Sequence, residues 1–287
     1  MWTAVLAGCT DVVVERDISY DTRFASTAFD AYMPPPAATP RPAVLVVHGG
    51  GWRVGLERDG MADHAQRLAD AGYVAFNLSY RLVGASGDES GVFPRAIQDV
   101  YCALAFIRAH ASDYDIDPDR IGAIGYSAGG HLVSMLGVAT DVAELAPDCE
   151  AGAAEPPQAV VSGAGPQEMG ALLEADAVVN FMGGTEEQVP ERYAMASPLT
   201  HVREGAPPFL FIHGEDDWFV SLDHSTRMRD ALLDAGNDAR ILAIPGGGHL
   251  WNRGASSGLW DLEISIDTPQ AWAATIDFLD HAIGPVP

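Results

Sequence analysis

Apolar and polar residues alternate through Val12 to Tyr20 and again through Thr27 to Met33, the period-2 pattern of half-buried antiparallel strands. Pro34-Pro35-Pro36 and the proline-rich segment after it break the sheet. Ala43 to Val47 is then a continuous apolar run, as expected of a strand covered on both faces, and it ends at His48-Gly49-Gly50-Gly51. From there strand and helix spacing take turns. A helix over Asp63 to Ala71 stops at Gly72, a strand covers Tyr73 to Leu78, and a helix runs from about Pro94 to Ala111 with Ile97, Val100, Leu104 and Ile107 on its apolar face. Asp117-Pro118 is expected to turn the chain into a strand over Arg120 to Gly125, followed by a helix to about Ala139. Strands over Ala159 to Gly163, Phe209 to His213 and Arg240 to Ile244 follow, with helices over Leu222 to Ala235 and Gln270 to Ala282. The order predicts an α/β fold: a mostly parallel central sheet, helices on both faces, antiparallel N-terminal strands and no large cap domain. The stretch 165–205, irregular and broken by prolines and Gly183-Gly184, reads as a long excursion over one face.

Composition narrows the partners more than the fold. A chain of 287 residues fits one large domain spanning 1–287. No run approaches the ~18 apolar residues of a membrane span, so no transmembrane segment is expected. The formal net charge is −24 and every basic residue is arginine. Such a field repels polyanions, which makes nucleic acid and anionic membrane surfaces poor partners but leaves a neutral small molecule unaffected. Most of the acidity reads as solubility or a salty habitat. Cys9, Cys102 and Cys149 have neither metal-ligand nor Cys-x-x-Cys spacing, so buried, inert thiols are expected, with no metal and no organic cofactor. Leu6-Ala7-Gly8-Cys9 is similar to the end of a bacterial lipoprotein signal, but the residues before it are few and carry no positive side chain. As written, the sequence reads as cytoplasmic. An upstream start would make the protein secreted or lipid-anchored and leave Cys102 and Cys149 to pair.

The chemistry begins at Gly125-Tyr126-Ser127-Ala128-Gly129, a Gly-x-Ser-x-Gly pentapeptide. Alone it fits any glycine-rich turn, but here an apolar strand precedes it and a helix follows, the setting of an exposed nucleophilic serine. A serine hydroxyl needs a base to take its proton. His249, in Gly246-Gly247-Gly248-His249 just past the last strand, sits at the correct edge of the sheet, whereas His131 projects from the same helix as Ser127 and reads as a packing residue. The histidine in turn needs a carboxylate to set its tautomer. Glu215, Asp216 and Asp217 compete; Asp217 is preferred because it lies three positions past Gly214, with Asp216 the alternative. An oxyanion must also be met by donors already in place. The glycines of His48-Gly49-Gly50-Gly51-Trp52 let the backbone approach closely, so the amides of Gly50 and Gly51, with that of Ala128, are the candidates. Trp52 and Trp251 are candidate substrate-binding side chains, although a tryptophan in a large core needs no such role.

With these residues in view, the chain resembles the α/β-hydrolase superfamily, and within it the hormone-sensitive-lipase-like esterases and the acetyl-xylan and feruloyl esterase group. The resemblance rests on HGGGW (His48 to Trp52), SYRL (Ser79 to Leu82), DPDRIGAIGYSAGGHL (Asp117 to Leu132), ASPLTHV (Ala196 to Val202), HGEDD (His213 to Asp217) and GGGHL (Gly246 to Leu250). It implies Ser127, Asp217 and His249 as a catalytic triad, Gly50, Gly51 and Ala128 as oxyanion donors, and hydrolysis of carboxylic esters without a cofactor. Hormone-sensitive-type esterases carry an N-terminal helical cap, whereas only a short strand-forming segment precedes HGGGW here. An open pocket roofed by 165–205 and by Trp251 to Trp260 is therefore expected, with a preference for short acyl groups, acetyl or feruloyl groups of plant polysaccharide among them. Related arylformamidases share HGG-x-W and the same triad, which makes formamide hydrolysis the alternative. A non-catalytic binding module of this superfamily would usually lack a triad member, and all three are present.

Overall fold

The computed structural model describes residues 11–53, 58–85, 87, 90–152, 155–172, 176–249 and 268–287. Strands β1 (Val13–Ser19), β2 (Ala28–Met33) and β3 (Arg41–Val47) lead into α1 (Ala62–Asp70), β4 (Val74–Leu78), α2 (Arg95–Ala109), β5 (Ile116–Tyr126) and α3 (Ala128–Val138). Then come β6 (Ala159–Gly163), α4 (Asp176–Met182), α5 (Pro190–Met195), β7 (Phe209–Gly214), α6 (Asp223–Asp234), β8 (Ala239–Ile244) and α7 (Pro269–Ile283). The strands form one eight-stranded sheet in the order β1-β2-β4-β3-β5-β6-β7-β8. β2 runs antiparallel to both β1 and β4, and every other pairing is parallel.

Both faces of this sheet are covered, which is why alternation vanishes from its inner strands. Along β3, Ala43, Leu45 and Val47 belong to the core on one side of the sheet, with Val100 of α2 and Leu132 of α3, while Val44 and Val46 belong to the core on the other, with Leu68 of α1 and Phe278 of α7. The N-terminal pair departs from the half-buried expectation in both directions. β1 is a largely exposed edge, whereas β2, flanked by β1 and β4, is buried nearly throughout.

Two further differences have local causes. β5 begins at Ile116 rather than Arg120, so Asp117-Pro118 lies inside the strand. Its register against β3 jumps from Arg41↔Ile116 to Ala43↔Ile121, and the extra residues bulge out where a proline is tolerated. The stretch 165–205 is not wholly irregular: it holds α4, α5 and short 3-10 turns at Met169–Ala171 and Pro198–His201. Helices of seven and six residues are too short to display a full apolar stripe. Cys102 and Cys149 are joined as a disulfide that ties α2 to the loop after α3, which corrects the expectation of two inert thiols. Cys9 and the segment around it lie outside the described residues.

Candidate active site

Ser127 occupies the single residue between the end of β5 and the start of α3, at φ 52° and ψ −116°, a conformation that costs a non-glycine residue strain. The turn is closed by Ser127 N–H donating to Gly163 O at 2.8 Å, across the β5–β6 pair. It is also too tight for flanking side chains. A Cβ on Gly125 would lie 2.3 Å from Gly129 O, and one on Gly129 would lie 2.1 Å from Val47 O. Glycine at both positions therefore lets β3, β5 and α3 converge beneath the serine.

The loops after β7 and β8 are stitched to each other, and that brings the histidine to the acid. Glu215 N–H donates to Ile244 O at 3.0 Å and Asp216 N–H to Gly247 O at 2.8 Å, while Gly214 sits against Gly247 so closely that a Cβ would meet its oxygen at 2.2 Å. Asp217 then turns inward, its Oδ1 accepting the Phe219 and Val220 amides at 2.9 Å each. Its Oδ2 lies 2.7 Å from His249 Nδ1, and His249 Nε2 lies 3.0 Å from Ser127 Oγ. With the imidazole proton on Nδ1, Nδ1–H donates to the carboxylate and Ser127 O–H donates to the bare Nε2. Glu215 and Asp216, the competing acids, are exposed.

Burial pushes the Asp217 carboxyl up, but the hydrogen bonds from His213 and His249, the His249 charge and the Val220 amide outweigh it and hold the group well below the usual carboxylate range. His213, the last residue but one of β7, is fully buried: its Nε2–H is 2.8 Å from Val220 O and 3.2 Å from Asp217 Oδ2, and its Nδ1 is 2.7 Å from Ser225 Oγ. It buttresses the acid's loop from behind. In the sequence His213 marks only the end of a strand, and no local pattern singles it out as a buttress.

The HGGGW segment folds over the serine turn. A Cβ on Gly49 would lie 2.8 Å from Tyr126 O, and Gly50 and Gly51 adopt φ of 106° and 62°. Tyr80 pins the segment, stacking on the His48 ring at 4.4 Å and donating its O–H to His48 O at 3.1 Å. Among the described residues, no acceptor is bonded to the Gly50 or Gly51 amide. Ala128 opens α3, where an amide has no preceding turn to bond.

Beside Ser127 lies a cavity of about 170 Å³, walled by Trp52, Leu172, Val178, Trp218, Phe219 and Val220 among others. Among the described residues of that wall, Ser127 carries the one hydroxyl, and the rest are apolar, aromatic or glycine. Trp52 is buried and stacked flat on Phe181 of α4 at 4.5 Å, and its Nε1–H donates to His131 Nδ1 at 3.3 Å. His131 Nε2–H donates in turn to Ala196 O at 2.7 Å, and burial pushes its imidazole down to about 4, so it is a neutral strut. Trp251, and the Trp251 to Trp260 roof expected with it, lie outside the described residues. Trp218 and Phe219 were not among the residues singled out from sequence, although they directly follow the acidic trio.

A mostly parallel, doubly covered sheet with a strained serine at a strand-to-helix turn defines an α/β-hydrolase. More narrowly, the chain belongs to the BD-FAE family, whose model matches residues 29–232. The truncated form of a carbohydrate esterase from gut microbiota is 25% identical, with a TM-score of 0.77 over 96% of this chain and 97% of that one. Esterase 2 of Thermogutta terrifontis shares the fold at 22% identity and a TM-score of 0.73, over 96% of this chain and 94% of that one. Among curated relatives, the esterase LipQ of Mycobacterium tuberculosis is 29% identical over 227 residues, covering 77% of this chain and 53% of LipQ. The chain spans about half the length of the first curated relatives it matches.

Proposed function

We propose that the protein is a serine carboxylesterase that hydrolyses small or short-acyl carboxylic esters, with acetyl or feruloyl groups of plant polysaccharide as its natural targets. The observation that carries this reading is the unbroken line from Asp217 Oδ2 through His249 to Ser127 Oγ, at 2.7 and 3.0 Å, ending at an apolar cavity. Relatives named as esterases and a carbohydrate esterase among the similar structures agree with it.

In this mechanism His249 Nε2 takes the Ser127 proton as Oγ attacks the ester carbonyl. The resulting alkoxide is held by the amides of Gly50, Gly51 and Ala128, each worth about 3 kcal/mol to the transition state. Asp217 keeps the Nδ1 proton in place and stabilises the imidazolium. His249 then gives its proton to the leaving alcohol, and a water molecule, activated by the same nitrogen, cleaves the acyl-serine. The whole chain acts as one α/β-hydrolase domain, with 165–205 roofing the site and Trp52 lining it.

A cavity of about 170 Å³ is below the ~300–1,000 Å³ typical of sites for drug-sized ligands, so the acyl group it receives against Trp52, Leu172 and Val178 is small. Turnover of p-nitrophenyl butyrate should exceed that of the palmitate ester, and the reverse order would overturn the short-acyl assignment. N-formylkynurenine should be cleaved more slowly than a simple acetyl ester; a faster rate would make the protein a formamidase.

A further inference from the structure

One wall of the cavity is unlike the rest. Trp218 is 75% exposed, although an indole is among the most apolar surfaces a protein can show to water. Among the described residues the other exposed large apolar side chains are Val13 and Leu233, and neither lines the cavity. The position of Trp218 relative to the reacting atoms follows from a chain of ring contacts. The Phe219 ring meets the His249 ring at 5.1 Å and 61°, and the Trp218 ring meets the Phe219 ring at 5.8 Å and 80°. Two edge-to-face contacts therefore lead outward from the imidazole to the exposed indole.

That direction has a chemical meaning, which rests on the esterase reading above. The imidazole protonates the leaving oxygen, so the alcohol half of the ester lies against His249 and extends past Phe219. We propose that Trp218 is the docking face for a neutral sugar ring in the alcohol half of the substrate. A pyranose has C–H-bearing faces and a rim of hydroxyl donors. The indole supplies an apolar plane for the face, and the exposed carboxylates of Glu215 and Asp216, just before it in the same loop, supply acceptors for the rim. An acidic sugar is disfavoured by those carboxylates and by the net charge of −24. A plain alkyl or aryl alcohol would use the indole and leave the carboxylates without partners.

The test is a specificity ratio: kcat/KM for a monoacetylated methyl xylopyranoside divided by kcat/KM for ethyl acetate, whose alcohol half has no ring. Trp218→Ala should lower this ratio about tenfold, mainly through KM of the sugar ester, consistent with the usual worth of one aromatic contact. Trp218→Phe, which keeps an aromatic plane and guards against a folding defect in the alanine variant, should retain most of the ratio. An unchanged ratio in Trp218→Ala, including equal loss on both esters, would overturn the proposal. Cyclohexyl acetate, a ring without hydroxyls, separates sugar from apolar alcohol. The double variant Glu215→Gln with Asp216→Asn should lower the sugar ratio but not the cyclohexyl ratio, and a sugar ratio that stays at the wild-type value would overturn the sugar assignment. Wild-type protein that hydrolyses none of the three esters would instead remove the esterase reading beneath it.

Discussion

Asp217 shows how much of a candidate triad acid is decided by its immediate neighbours. Its Oδ1 is taken by two amides of its own loop and its Oδ2 faces His249, with His213 3.2 Å away behind it. An asparagine at this position could keep the loop bonds but would present either the wrong atom or the wrong tautomer to His249. Asp217→Asn is expected to lower kcat about 10⁴-fold, the loss typical of a triad whose acid becomes an amide, with the far-UV spectrum unchanged; steady-state kinetics check it, and a loss below tenfold would contradict the role. At this scale Ser127 was legible because two flanking glycines leave a signature in the letters. Asp217 was separable from Glu215 and Asp216 only by counting from Gly214, since the inward turn that buries it depends on amides the letters do not show. His213, Trp218 and Phe181 were not legible, because a buttress, an exposed platform and a stacking partner all look like ordinary residues until distant segments meet.

Among the elements, the central strands were readable as apolar runs bounded by glycine, and their ends deliver Ser127, Asp217 and His249 to one edge of the sheet. The early start of β5 was hidden because a proline in a bulge reads as a turn. The short helices of 165–205 were hidden because their order comes from contacts rather than from spacing. α4 shows this best: Phe181 is fully buried, stacked on Trp52 at 4.5 Å and set edge-on to Phe93 at 6.3 Å. α4 also provides Ala177 and Val178 to the cavity wall, and Phe181 packs that helix onto Trp52. Phe181→Ala should cost about 3–5 kcal/mol of unfolding free energy, as a large aromatic removed from a core does. Urea denaturation measures it, and a cost under about 1 kcal/mol would mean that α4 is held by other contacts.

The molecule as a whole carries buried imidazoles that link its stability to pH. Burial pushes His48, His131 and His224 down to about 4 in the folded chain, against ~6.5 when unfolded. A folded value below the unfolded one means that the unfolded chain takes up protons first as pH falls. The stabilisation is therefore complete above about pH 6.5 and is lost as pH falls toward 4, on the order of 2 kcal/mol for each histidine at pH 5. The urea midpoint should be clearly lower at pH 5 than at pH 7.5 with an unchanged slope, and equal midpoints would show that these imidazoles are protonated in the folded state. This sensitivity follows from packing, as does the joining of Cys102 to Cys149, and net charge alone indicated neither. The account as a whole depends on Ser127 Oγ being activated by His249. Its most direct measurement is the intact mass and peptide map of the folded protein after reaction with a fluorophosphonate. One adduct on the peptide containing Ser127, absent from Ser127→Ala and slowed in His249→Ala, is the expected result. A folded protein that takes up no phosphonate, or takes it up equally in Ser127→Ala, would contradict the account.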